Sequence, residues 1–196
     1  MKHITNNGLW KTLLMLLLSF GSATTVMGQS KLHVDVDYHY NLGLSENFMG
    51  YTLSRNNYNM GGHSIHLTSR YDISTLWSAG IGIGLDRYTE PEYNTMPIFA
   101  TVRYKIIRKI PDLYTYTNIG YAVKGGNYTK GFTGDIGIGY THMLAKHFGL
   151  NIQIGYNLKR FTNIPVYSYD DKSGEETLNE ESSTRHSLSF GIGLTF

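Results

Sequence analysis

The chain has 196 residues and a composition rich in Tyr (16) and Gly (22), with 16% charged residues against about 25% in ordinary soluble domains. It has no Cys, which excludes disulfides, thiolate metal sites, a Cys nucleophile and the acylated cysteine of a lipoprotein. The formal charge of +2 rests on Lys2 and Lys11, so beyond residue 28 Lys and Arg balance Asp and Glu and no basic nucleic-acid footprint exists.

Residues 1–11 carry those two lysines, residues 12–20 are an apolar run (TLLMLLLSF), and residues 21–28 are small and polar. Basic, apolar and small-residue regions in that order predict a secretory signal peptide over 1–28, cut after Gly28. A membrane anchor is the competing reading, but a spanning helix needs roughly 20 apolar residues. The remainder, 29–196, is read as one domain.

From Leu32 onward the pattern has period two. Leu32, Val34, Val36, Tyr38, Tyr40 and Leu42 alternate with His33, Asp35, Asp37, His39 and Asn41, which predicts a strand with two unlike faces. Ile65, Leu67, Tyr71 and Ile73 form the apolar face of a second strand. Trp77, Ala79, Ile81, Ile83 and Leu85 form that of a third, and Ile98, Ala100, Val102, Tyr104 and Ile106 that of a fourth. The fifth, near 114–123, presents Ile119, Tyr121 and Val123. Its Tyr114 and Tyr116 fall on the opposite face, which predicts a bulge between them. Phe132, Ile136, Ile138 and Tyr140 mark the sixth strand, and Leu150, Ile152, Ile154, Tyr156 and Leu158 the seventh. Leu188, Phe190, Ile192, Leu194 and Phe196 mark the eighth.

Eight strands of about ten residues match the length needed to cross a bilayer at a tilt. Short connections at 74–76, 108–112 and 145–149 alternate with longer ones at 45–60, 88–96, 125–131 and 161–184. That alternation is expected of an outer-membrane barrel with both termini in the periplasm. A soluble lipocalin-like barrel, apolar inside, is the alternative. Aromatic residues at both ends of the apolar face favour the membrane. Tyr38, Tyr40, Tyr121, Phe132 and Tyr156 lie toward the long loops, and Tyr71, Trp77, Tyr104, Tyr140 and Phe196 toward the short turns. The expected fold is all-β, an eight-stranded antiparallel up-and-down transmembrane barrel.

The ending SLSFGIGLTF, with Phe190, Ile192, Leu194 and a terminal Phe196, resembles the assembly signal read by the outer-membrane barrel insertion machinery. With units such as DIGIGYTHMLAKHFGLNIQIGYNLK, the chain resembles small eight-stranded barrels of the OmpA transmembrane-domain and OmpX type. The resemblance implies a Gram-negative outer-membrane location, the insertion machinery as a partner, and contact with outer-membrane lipids and lipopolysaccharide. It transfers no function.

The inner face is expected to hold Asp35, Asp37, Arg70, Asp72, Asp86, Arg103, Lys105, Lys124, Asp135 and Lys159, with His33, His39, His66, Asn118 and Gln153 nearby. Eight strands leave room only for packed side chains, and buried charges need partners, so these residues are read as an ion-pair network rather than a proton relay or solute site. Gly80, Gly82, Gly84, Gly137, Gly139, Gly191 and Gly193 make room for long Arg and Lys side chains opposite, or else leave a thin water path. His63 and His186 sit where an outer-leaflet lipid-modifying enzyme would carry a base. Ser64 and Ser187 beside them point to the other face, so neither pair makes a nucleophile. Asp170, Asp171, Glu175, Glu176, Glu180 and Glu181 form an acidic stretch read as a solvated loop, with cations or a basic partner as the sharper alternative. Phe48, Met49, Tyr51, Tyr58 and Met60 in the first long loop are read as packing over the barrel mouth, with contact to an extracellular ligand at the long loops as the alternative. No catalytic, cofactor-binding or metal-ligating residue is assigned. The expected role is non-enzymatic, structural or surface-binding, with a narrow channel and a lipid-modifying enzyme as alternatives.

Overall fold

The computed structural model describes residues 31–107, 109–124, 129–170 and 175–196. The expected signal segment lies outside them, as do Asp171 and Lys172 of the acidic stretch. The described residues form one antiparallel sheet of nine strands: β1 (Leu32–Phe48), β2 (Tyr51–Ser54), β3 (Gly61–Asp72), β4 (Trp77–Thr89), β5 (Tyr93–Ile107), β6 (Ile110–Val123), β7 (Gly131–Ala145), β8 (Phe148–Asp170) and β9 (Glu175–Thr195). Each strand from β3 to β9 pairs with the next, β1 pairs with both β3 and β9, and the sheet closes into a ring. Closure pairs the backbone groups that an open edge would expose.

The ninth strand is one the hydrophobic pattern did not announce. β2 lies within the expected first long loop and pairs only with the end of β1, from Ser45↔Ser54 to Phe48↔Tyr51. The turn between them is Met49 and Gly50, with φ of 50° and 80°. Two consecutive left-handed residues make the tight turn that suits a twisted hairpin, and Gly50 adopts it without steric cost.

The eight strands of the ring are also longer than the ten residues expected, from 12 in β3 to 23 in β8. The greatest excess lies at the loop end of β8 and β9. Their pairing runs from Gly149↔Thr195 to Asp170↔Glu175, whereas β1 stays beside β9 only as far as Phe48↔Ser183. The stretch read as a long solvated loop is therefore mostly a two-stranded ribbon, with Tyr167 opposite Leu178. β-branched and aromatic residues such as Val166, Tyr167 and Thr177 fit a pleated surface, yet they follow no clean alternation that the sequence would betray.

Parity sorts the two faces as alternation predicts. The outward column of β4 is Trp77, Ile81, Ile83 and Leu85, and Ile81 alone is 70% exposed. Outward Ile65, Ile98, Ile119, Ile136, Ile152 and Ile192 continue this apolar surface around the ring. The inward face is polar. Four carboxylates (Asp35, Asp37, Glu46, Asp86) and four cations (Arg70, Arg103, Lys159, Arg185) are buried there. That polarity is the reverse of a lipocalin-like barrel, which sets that alternative aside.

β6 keeps an unbroken register with β7 from Leu113↔Tyr140 to Ala122↔Gly131, and no bulge separates its tyrosines from its apolar positions. Tyr114 and Tyr116 are simply inward residues, both buried. A real irregularity occurs elsewhere, between Gly43 and Ser45 of β1 against β9. It reverses the parity of the strand, so that Leu44 faces out and Glu46 faces in.

Candidate functional site

The interior side chains group into three layers from the turn end to the loop end. The lowest is built on Asp35, which β1 places inward at full burial. Arg70 of β3 donates Nε to Asp35 Oδ2 at 3.1 Å and Nη1 to Ser78 Oγ at 3.2 Å. Arg103 of β5 brings Nη2 to 2.9 Å from the same Asp35 oxygen and 3.8 Å from Asp37 Oδ2. Asn151 Nδ2 donates to Asp37 Oδ1 at 3.3 Å while its own Oδ1 accepts from Thr141 at 2.6 Å. The Arg103 guanidinium lies 4.7 Å from the centre of the Tyr114 ring, whose hydroxyl accepts from Gln153. A cation over an aromatic face gains attraction and excludes water.

Asp86 organises the middle layer. It accepts from Lys159 Nζ at 2.7 Å and Thr95 Oγ1 at 2.9 Å, and lies 3.0 Å from His66 Nε2. The His66 ring packs between His39 and Phe99, with centroids 5.2 and 5.0 Å away. Beside it Asn157 Nδ2 donates to Asp135 at 2.5 Å. Lys159 Nζ also stands 5.9 Å from the Tyr88 ring, which joins this layer to the next.

The uppermost layer seals the loop end around Arg185. Its Nε donates to Glu46 Oε2 at 2.5 Å, Nη1 to the carbonyls of Thr89 and Gly61 at 3.0 and 3.3 Å, and Nη2 to that of Pro91 at 3.2 Å. Ser183 completes the coordination of Glu46. The guanidinium is ringed by Tyr88, Tyr93 and Phe161, each 5.5–5.9 Å from it, and Phe161 stacks on Tyr93 at 4.3 Å. A buried guanidinium needs its donors satisfied, and the three backbone carbonyls do that while tying β9 to the start of β3, the end of β4 and the β4–β5 connection.

The sequence-derived lumen set is divided by the structure. Asp35, Asp37, His39, Arg70, Asp86, Arg103, Gln153 and Lys159 are buried inside. His33 and Asp72 pair at 3.1 Å on the turn-end rim, half-buried. Lys105, Asn118 and Asp135 are intermediate. Lys124 is not a lumen residue: it follows the last residue of β6, is exposed, and lies 3.7 Å from Glu180. Parity pointed it inward, but beyond a strand end parity has no meaning.

The upper layer was not foreseen. Continuing the alternation of β9 two residues before Ser187 reaches Arg185 and would have found it. Glu46 could not be found so, because the irregularity at Gly43 reverses its face.

Gly82, Gly84, Gly139 and Gly191 accommodate rings of adjacent strands, whereas Gly80 lies against the backbone of Ser69 and Arg70 and Gly193 against the Asp37 carboxylate. A Cβ on Gly82 would stand 2.4 Å from Phe99 Cζ, one on Gly139 2.4 Å from Tyr114 Cζ, and one on Gly191 2.7 Å from the His39 ring. Each of these rings lies across the neighbouring glycine.

On the outer face, His63 and His186 have partners, and those partners are tyrosines. The Tyr38 hydroxyl and His63 Nδ1 are 2.7 Å apart, and Tyr156 bonds His186 in the same way. In the first long loop the expected packing is divided: Met60 is buried and Phe48 packs on the upper aromatic cluster, whereas Met49, Tyr51 and Tyr58 are exposed.

No protein-family model matches the sequence, and no curated protein matches it. Solved structures with a similar fold include a de novo designed transmembrane β-barrel, at 17% identity over 87% of this chain and 97% of that one, with a TM-score of 0.43. The outer membrane protein AlkL, determined in lipid bilayers by solid-state NMR, is 10% identical over 88% and 94%, with a TM-score of 0.48. Neisserial surface protein A is 15% identical over 85% and 99%, with a TM-score of 0.40. Similarity at this level transfers no activity to the chain.

Proposed function

We propose that this chain is an integral outer-membrane β-barrel with a structural or surface-binding role, whose eight ring strands cross the bilayer around an occluded lumen. The observation that carries the reading is the inverted polarity of a closed ring. Isoleucine and aromatic columns face outward while four buried carboxylates balance four buried cations within. Lipid solvates an apolar exterior, and a closed barrel leaves no backbone group unpaired within it. The signal segment over 1–28 brings the chain to the periplasm, where both mature termini remain. The Phe190, Ile192, Leu194 and Phe196 pattern addresses it to the insertion machinery. The long loops and the β8–β9 ribbon are the surfaces available to an external ligand.

A narrow water-filled path is the second reading. Arg103 Nε and Nη1, Ser187 Oγ and Thr195 Oγ1 are buried without a hydrogen-bond partner among the described residues. Buried groups of this kind commonly bind water.

Planar-bilayer recording tests the main reading. Folded protein is expected to give no single-channel steps, and stable steps would establish the channel instead. The third reading, a lipid-modifying enzyme, is tested by replacing His63 and His186 singly with Ala. The outer-leaflet lipid profile of expressing cells is expected to match that of cells carrying the parent chain.

A further inference from the structure

The outer face carries a cationic corner at the loop end of β4. Along β4 the outward column runs from Trp77 through Ile81, Ile83 and Leu85 and then meets Arg87. Trp77 to Arg87 covers about 33 Å of strand, which at a tilt of about 40° rises about 25 Å, the height of the apolar band of a membrane barrel, so Arg87 stands at its upper boundary. Directly across the ladder are His63 of β3 and, beyond it, Tyr40 of β1. All three side chains project outward, and His63 packs against both Tyr38 and Tyr40.

The tyrosine sets the direction of the histidine. With Nδ1 engaged by the Tyr38 hydroxyl at 2.7 Å, Nε2 is the remaining ring nitrogen and makes no other bond among the described residues. When the Tyr38 hydroxyl donates to Nδ1, or when the ring is protonated, Nε2 carries a proton and is a donor. Among the described residues Arg87 makes one ion pair, with Glu92 at 3.9 Å, and both side chains are about two-thirds or more exposed. Such a contact contributes little and leaves most of the guanidinium fork open.

We infer that His63, Arg87 and Tyr40 form a docking site for the phosphate of a membrane-lipid headgroup, with the lipid's acyl chains lying on the Ile83 and Ile65 columns below. The guanidinium supplies a forked pair of donors that matches phosphate geometry, and the imidazole adds a third. The exposed apolar columns beneath identify the source of the phosphate as a lipid rather than a free ion, because free phosphate would use none of that surface. This inference rests on the membrane reading proposed above.

The test uses the folded mature chain, first inserted into phosphatidylcholine vesicles and scored by its heat-modifiable migration. Failure to insert would overturn the membrane reading and this site with it. Inserted protein is then extracted with mixed phosphatidic acid and phosphatidylcholine and examined by native mass spectrometry. Preferential retention of one phosphatidic acid is expected. Arg87→Gln and His63→Gln should each reduce that preference by about fivefold, while Lys146→Gln at the opposite rim should leave it unchanged. Equal retention of the two lipids, a preference unaltered in R87Q and H63Q, or a lipid-free dimer mass would overturn the site while leaving the membrane barrel standing.

Discussion

Arg185 and Glu46 form a charge-assisted pair at 2.5 Å in which both side chains are fully buried, 139 residues apart in sequence. Each is held by further groups, Glu46 by Ser183 and Arg185 by three backbone carbonyls. Removing one partner leaves the other charge buried and uncompensated. Arg185→Met or Glu46→Gln is therefore expected to lower unfolding stability by about 3–5 kcal/mol. The double variant should cost less than the sum of the two. Urea titration of the folded barrel in lipid vesicles measures both, and additive losses would show that the pair is not coupled.

The glycines beneath the aromatic rings give a second expectation. Gly82→Val forces a side chain into Phe99, and Gly139→Val forces one into Tyr114. Overpacking of this kind costs about 1–3 kcal/mol. Phe99→Ala should recover much of the loss in the Gly82→Val background but not in the Gly139→Val background. A shift in denaturation midpoint reads the result, and equal recovery in both would break the assignment of ring to glycine.

The layering of the lumen predicts that its closure is redundant. Arg185→Ala with Phe161→Ala opens the upper layer, but Arg103, Asp35 and Tyr114 still fill the lower one. That double variant is expected to remain non-conducting. Adding Arg103→Ala and Tyr114→Ala should produce steps in planar bilayers. Conductance in the upper-layer variant alone would show that the lower layer does not block the lumen.

The outward columns distinguish lipid from water. Ile83 is more than half exposed and lies mid-column between Ile81 and Leu85. Ile83→Lys facing lipid near the midplane is expected to cost about 2–4 kcal/mol, whereas an exposed substitution in a soluble barrel usually stays within about 0.5 kcal/mol. Refolding into vesicles followed by urea titration separates the two, and a near-neutral effect would contradict the membrane reading.

The sequence by itself determined which residues face out and which face in along each regular strand. The pleat has a period of two, and Leu32 to Leu42 or Trp77 to Leu85 repeat it without interruption. It thereby placed Asp35, Asp37, Asp86, Arg103 and Lys159 inside. Only the tertiary structure decided how those charges pair, because the ionic partners, Arg103 with Asp35 and Lys159 with Asp86, come from strands far apart in sequence and the register of closure is not written locally. It also decided the face of Glu46, which turns on a single irregularity in β1. The loop-end seal depends on that one residue. Lys124 was misplaced for the complementary reason, since period-two reasoning holds only where a ladder constrains the chain, and the ladder has ended at Val123. The long β8–β9 ribbon, with its irregular pattern of polar and aromatic residues, is set by cross-strand pairing rather than by a buried face, so no alternation marks it in the sequence.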